Sequence, residues 1–492
     1  SFSTALVFRG ISNFFVPPSM REVCAGPARN RVTSLRAASP AVVRCSLLLT
    51  LGTPSPQQLT ARLRDARHLE QLVEQHAEHG AGFNGFHLGA FWGSVKRLAP
   101  KQRHWLNTQG RAAFTPACEQ TTQMLPTLEP RSLAMVAHAL ARARLRRGEP
   151  WETIWRPLPE AIRPTLERMN AQELANSAWA FAAAGRNVST LFEAIAKESL
   201  SRRLEDFSPQ GLSNTAWAFT TAECASEVLD APALFEAIAD SAATRISAFN
   251  AQELSNIAWA FAAAGHRSPA LFDAIAAEAE ERREQFKPQE LSITLWAFAR
   301  AEHPAPALFE ALSKDAEGRV GDFNAQDISN IAWACATAEQ AAPALFEALA
   351  AEASKRRLRK FNAQNLANTA WAFAKAEHAA PALFEVLAAE AAGRLSKFNA
   401  QNLANTAWAF ARLEHPAPAL FEALAAESAG RLAEFNAQNL ANTAWAFAAA
   451  GHQAPELFEQ LADLAWERNL ERFRSEAADD ETLQGAVVNA PE

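Results

Sequence analysis

Asn176, Asn214, Asn256, Asn330, Asn368, Asn405 and Asn442 each stand three residues before a tryptophan. An amide can pair with the edge of a nucleotide base, and an indole can stack on its face. A third row is cationic. Arg203, Arg245, Arg282, Arg319, Arg357, Arg394 and Arg431 each precede a phenylalanine by four residues. Such a row could track phosphates, or it could meet the negative end of a helix dipole. A fourth row, His266, His303, His378, His415 and His452, follows the tryptophans by seven residues. One histidine per repeat spaces the rings on the order of 10 Å apart, too far to share a metal. They read as turn residues. Cys24, Cys45, Cys118, Cys224 and Cys335 show no paired spacing, so neither a zinc motif nor a disulfide framework is expected. No phosphate loop, glycine-rich fingerprint or nucleophile elbow is present. The residues therefore point to binding without a cofactor, and not to an enzyme.

These rows are set by one phrase. Trp179, Trp217, Trp259, Trp296, Trp333, Trp371, Trp408 and Trp445 recur at 38, 42, 37, 37, 38, 37 and 37 residues. The phrase reads FNAQNLANTAWAFA at 361–374, 398–411 and 435–448. A period near 37 residues marks a solenoid of stacked supersecondary units. Asn170, Ser208, Asn250, Asn324, Asn362, Asn399 and Asn436 offer an N-cap, and only Lys287 breaks the series. Ala or Pro follows, so each phrase opens a helix of about 14 residues. A second helix starts at Pro232, Pro269, Pro306, Pro343, Pro381, Pro418 or Pro455, with Leu345, Phe346 and Leu349 opposite Glu347 in one unit. The expected fold is all-α, a right-handed α-solenoid of helix–turn–helix repeats.

The first helix of each unit is apolar over most of its circumference and is expected to be the inner one. Leu366, Ala370 and Phe373 form one apolar stripe; Ala367, Trp371 and Ala374 form another. The narrow stripe left over is Asn365, Asn368, Ala372 and Lys375, expected to face a groove. Its first position varies among Glu173, Gly211, Glu253, Glu290, Asp327, Asn365, Asn402 and Asn439. Its last varies among Ala183, Thr221, Ala263, Arg300, Thr337, Lys375, Arg412 and Ala449. The tryptophans, constant amid Ala and Phe, read as core. The asparagines before them read either as base readers or as a ladder of amides between repeats.

The 492-residue chain carries a net charge of −7, unevenly placed. Residues 1–165 hold 21 basic and 10 acidic residues, 166–470 hold 24 and 38, and 471–492 hold 2 and 6. An acidic array argues against unspecific polyanion binding through bulk charge. Residues 1–60 contain six arginines, one acid and no lysine, with frequent Ser and Pro. That composition is typical of an organelle transit peptide, the alternative being an ordinary tail. Residues 61–165 are expected to hold degenerate repeats, the clearest being 83–99 and 128–145. Residues 166–470 form the array of eight clear units, and 471–492 an acidic tail. The apolar run at 46–51 is too short to span a bilayer, so a soluble protein with no membrane partner is expected.

The phrase LxNTxWAxA after (P/A)Q resembles the octotricopeptide repeats of algal organelle proteins. It is similar also to the helical repeats of the sixth subunit of the kinetoplastid RNA-editing substrate-binding complex and to FAST-kinase-like helical domains. Pro209-Gln210, Leu212, Asn214 and Trp217, and Pro288-Gln289, Leu291 and Trp296, carry the likeness best. It spans about 166–470, and 83–165 more weakly. The resemblance implies an α-solenoid that binds single-stranded RNA in the mitochondrion or chloroplast and acts in RNA processing, stability or translation. Many such proteins end in a RAP domain resembling a nuclease. No segment here reads as one, so no nuclease activity is carried over. Arg300, Lys375 and Arg412 are then expected to contact phosphate or stack on bases, and Asn365, Asn402 and Asn439 to offer edge hydrogen bonds. Eight units at one base each would cover roughly eight nucleotides. The alternative function is a protein-binding scaffold whose acidic groove holds a basic partner of an RNA-processing or ribosome-assembly complex.

Overall fold

The computed structural model describes residues 54–222, 227–356, 358–464 and 466. Residues 1–53 and 467–492, and with them most of the leader and all of the acidic tail, lie outside the described residues. Among the described residues every regular element is a helix. None is long and apolar enough to cross a membrane.

Each clear repeat is built the same way. Asn362 caps the inner helix Ala363–Lys375: its Oδ1 accepts from the Asn365 amide at 2.8 Å, and Asn365 Oδ1 accepts from the Asn362 amide at 3.2 Å. Two orphan donors of the first turn are thus satisfied reciprocally. At Lys287, which has no side-chain acceptor, Glu290 does half the work by accepting from the Lys287 amide at 2.9 Å. The inner helix ends in a left-handed residue, and the His378 amide reaches back to the Phe373 carbonyl at 3.0 Å. Glu302, Glu339, Glu377 and Glu414 occupy that position with φ of 51–54°. Gly185, Gly265 and Gly451 occupy it elsewhere. The outer helix Pro343–Lys355 begins with Pro in its first turn and buries Leu345, Phe346, Leu349 and Ala353, leaving Glu347 exposed.

The chain divides into two compact units, Ser1–Ser241 and Ala242–Glu492. In the first, Pro56–Asp65, Gly85–Leu98, Pro130–Arg142, Ala171–Ala184 and Pro209–Thr221 pack side by side in that order. Ser55 caps the first of these through a reciprocal box with Gln58, so helical structure starts inside the segment read as leader. In the second, six inner helices from Ala251–Ala264 to Ala437–Ala449 pack in sequence order, and their outer helices form a parallel layer. The extra residues of the 42-residue interval fall between helices Pro209–Thr221 and Ala231–Ala243. Residues 223–226 lie outside the described residues; beyond them Val228 is buried.

A guanidinium at the end of the outer helix reaches back to the residue that opens its own repeat. Arg282, Arg319, Arg394 and Arg431 donate to the carbonyls of Phe249, Phe286, Phe361 and Phe398 at 2.7, 2.8, 2.9 and 2.7 Å. Each also pairs with the acid four residues earlier: Glu278, Asp315, Glu390 and Glu427. Arg202 and Arg356 do the same to Met169 and Phe323, one position earlier than the arginine row read from the sequence. Four arginines of the row, with Arg202 and Arg356 beside it, therefore clamp a repeat onto its own first residue, and their heads are spent on carbonyls and carboxylates; Arg357 lies outside the described residues.

Candidate nucleic-acid interface

The inner helices expose a different stripe from the one expected. Gln364, Asn368, Trp371 and Lys375 follow one another at steps of four, three and four, which keeps them on one helical face. The first three are half-buried and Lys375 is exposed. Asn365 and Ala372 lie about a residue's turn away and are buried at 3% and 0%. The corresponding residues of neighbouring repeats make a ridge that carries one glutamine, one asparagine or its substitute, one indole and one variable residue per repeat.

The tryptophans, expected in the core, are mostly half-buried and stack on one another. Trp296, Trp333, Trp371, Trp408 and Trp445 have successive ring centroids 6.1, 6.4, 6.4 and 6.3 Å apart, with planes tilted by 31–36°. In the first unit Trp179 and Trp217 repeat the pattern at 6.2 Å, and His138 meets Trp179 edge-on at 5.1 Å. Trp217 and Trp259 are buried. Trp445, on the last inner helix, is 45% exposed. Five indoles are thus half-buried along the ridge and the last is exposed. Their neighbours in the core are the phenylalanines two residues on, such as Phe373 and Phe410, which are fully buried.

The two asparagine rows exchange the roles expected of them. Asn365, Asn402 and Asn439 are buried at 3%, 7% and 7%; the Asn365 side chain closes a capping box, and the Asn402 and Asn439 backbone amides donate to the caps Asn399 and Asn436. Asn365 Nδ2 also donates to Ser329 Oγ at 3.0 Å and Gln326 Oε1 at 3.1 Å in the preceding repeat. Asp327 uses the same slot, accepting from Ser292 Oγ at 3.0 Å and from the Asn324 amide at 3.0 Å. Burial raises the Asp327 carboxyl above its ordinary value, against the opposing pull of those two hydrogen bonds. At Asp327 and Asn365 the residue at the third helical position thus bonds the preceding repeat, and Asn365, Asn402 and Asn439 are corrected from groove floor to buried positions. The asparagines before the tryptophans are the half-exposed ones, and Gln326 Nε2 donates to Asn330 Oδ1 at 2.9 Å along the ridge.

The three cations of the variable position differ in their surroundings. Lys375 Nζ pairs with Glu339 Oε1 at 3.1 Å, and Arg412 pairs with Glu377. Both acids are the left-handed residues that end the preceding inner helix. Before Arg300 that position is Gly265, and no carboxylate meets it there. Arg300 instead lines a cavity of about 520 Å³ with Phe261, Gly265, His266, Arg267 and His303.

The remaining reactive residue types are placed in packing roles. His303 lies against Phe272 and Phe298, His378 against Phe346 and Phe373, and His415 against Phe384 and Phe410. Cys118 and Cys335 are buried. Burial, aided by Glu119 and Glu149, pushes the Cys118 thiol up, and burial pushes Cys335 up to about 11. Neither is an activated thiolate at neutral pH. No group of three His, Cys, Asp or Glu side chains suited to a metal ion occurs among the described residues.

The model of the RNA-editing substrate-binding complex 6 protein family matches residues 166–387 and 380–471. Those spans coincide with the eight clear repeats. No curated protein matches the chain. A solved structure similar to it is a chain of a homology model of the full-length AP-3 complex in an intermediate open conformation. It has 8% identity, covers 83% of this chain and 89% of that one, and has a TM-score of 0.22. A likeness that weak carries no argument about fold or function.

Proposed function

Because the chain belongs to the RNA-editing substrate-binding complex 6 protein family, we propose that it is a non-catalytic helical-repeat protein that binds single-stranded RNA in an organelle, mitochondrion or chloroplast, and acts in RNA processing, stability or translation. The observation that carries this reading is the ridge. Six of the eight repeats set a half-buried or exposed indole beside the amides of the ridge, and such a pattern suits bases that are unstacked and read one at a time. Base edges would meet Gln364, Asn368 and their counterparts. Asn365, Asn402 and Asn439 would support the ridge from beneath. Arg300, which faces no left-handed glutamate from the preceding repeat, would meet phosphate directly. Lys375 and Arg412 would do so on release from Glu339 and Glu377.

Ultraviolet crosslinking of the full chain to single-stranded RNA, followed by mapping of the crosslinked peptides, tests the proposal. Crosslinks are expected on inner-helix peptides that carry the ridge. Their absence, with RNA binding undetectable at moderate salt, would overturn it.

A second reading has its own support. Glu302, Glu339, Glu377 and Glu414 form a row of exposed carboxylates, one per repeat, in a segment of 24 basic and 38 acidic residues. A basic protein segment would be steered to such a row. Retention of a basic partner by a chain that binds no RNA would establish this reading in place of the first.

A further inference from the structure

A dense run of basic residues lies outside the span matched by the family, in the first unit. Residues 96–147 hold ten basic residues and two acidic ones. The helices Gly85–Leu98 and Pro130–Arg142 pack side by side with both C-terminal ends basic. Arg142 stands at the variable ridge position and Arg144 at the left-handed position that follows, with φ of 55°. In the second unit that position is glutamate in four repeats, and two of those glutamates neutralise the ridge cation of the next repeat. Here the sign is reversed and the cations reinforce one another.

The cluster is built, not scattered. Arg103, Arg144, Arg146 and Arg147 line a cleft of about 60 Å³ beside Trp151. Arg111 fixes its rim by donating to the Arg147 carbonyl at 2.8 Å. Lys96 and Arg142 adjoin it, and none of these seven cations forms an ion pair among the described residues. Arg146 Nε is buried with no hydrogen-bond partner. A buried N–H on a charged group is costly to leave unsatisfied, and an anionic oxygen would satisfy it. The mutual repulsion is visible in the proton affinities. Arg103, Arg142 and Arg146 are each held below their usual value, first by burial and then by Arg144.

We propose that this cleft is a phosphate-binding site for the backbone of single-stranded RNA, and that it supplies most of the electrostatic part of RNA affinity. The inference rests on the RNA reading above and moves the phosphate contacts from the acidic array to the first unit. An anion seated there would relieve the repulsion of several guanidinium groups at once. The ridge of the second unit offers only cations already paired, apart from Arg300.

The test is a salt titration of binding between the full chain and a single-stranded RNA oligonucleotide of mixed sequence. The variant Arg103→Gln/Arg144→Gln/Arg147→Gln should bind about tenfold or more weakly at moderate salt. Its slope of log affinity against log salt should fall by about 2, from three lost contacts at roughly 0.7 each. Arg300→Ala/Lys375→Ala/Arg412→Ala should change the slope by less than half as much. A second variant, Arg144→Glu, installs the residue that other repeats carry at this backbone conformation and so should fold. It should weaken binding by itself, while Arg144→Lys should preserve the slope. Wild-type affinity and slope in both the triple-glutamine and Arg144→Glu variants would overturn the site and leave the RNA function standing. A wild-type chain that binds no RNA would overturn both.

Discussion

Asp327 sits where three later repeats carry asparagine, and its carboxyl is buried at 3% between two inner helices. Its proton affinity in the folded state is raised above the ordinary value of 3.8 because burial disfavours the anion. Below that ordinary value both states hold the proton and the site costs nothing. As pH rises through the raised value, the folded state must ionise a buried group and stability is lost. Asp327→Asn should therefore raise the stability of the full chain at pH 7 by about 1 kcal/mol, the usual scale of a stabilising substitution. The advantage should shrink as pH falls and vanish below the ordinary value. Thermal melts of both proteins across pH 3–8 check it, and a variant that loses stability at pH 7 would refute it. The same site shows what was hidden at this scale. Successive helical residues differ by about 100°, so a stripe assigned one residue out of phase exchanges exposed and buried rows. The capping box pulls the third helical side chain toward the N-cap and inward. No composition signal marks that pull, and Asn365 and Asn368 look alike in the sequence. The tryptophans suffered the same fate: constancy suggested core, but constancy here reflects stacking from repeat to repeat along the surface.

The helices themselves were legible. An Asn cap, an apolar phrase, a histidine turn and a proline start state the helix pair plainly, and they recur often enough to fix its period. The clamp was half legible. The arginine row could be seen, but its acceptors are backbone carbonyls, which have no sequence signature. Arg394 illustrates the outcome, with Nη1 at 2.9 Å from the Phe361 carbonyl and an ion pair to Glu390 at 2.7 Å. Arg394→Ala removes a charged hydrogen bond and leaves that carbonyl to water. The loss should be about 1–2 kcal/mol, toward the lower part of the charged range because the side chain is partly exposed. Chemical denaturation of the full chain gives the number. Amide exchange should meanwhile quicken around 395–400, where outer helix meets the next phrase. Unchanged exchange there would show that the clamp does not hold the end of the outer helix to the start of its repeat.

At the scale of the molecule, repetition makes stability close to a sum over units and their nearest neighbours. The division of charge between the first 165 residues and the array was legible by counting. That Lys96 and Arg142 would meet at one end of two packed helices was not, because the repeats there are too degenerate to align by eye. The summed character of the array gives the left-handed glutamates a meaning beyond their charge. A side chain with a Cβ at φ near 52° costs roughly 1 kcal/mol that glycine avoids, and the chain's own Gly185, Gly265 and Gly451 show glycine fits. Glu302→Gly and Glu414→Gly remove no ion pair found among the described residues. Each should raise the unfolding free energy by about 0.5–1 kcal/mol after the extra freedom of the unfolded glycine is counted. A fall in melting temperature in both would refute this. If the gain is found, four repeats keep their glutamates at a cost in stability, and a glycine row would be a sturdier array stripped of a line of exposed carboxylates.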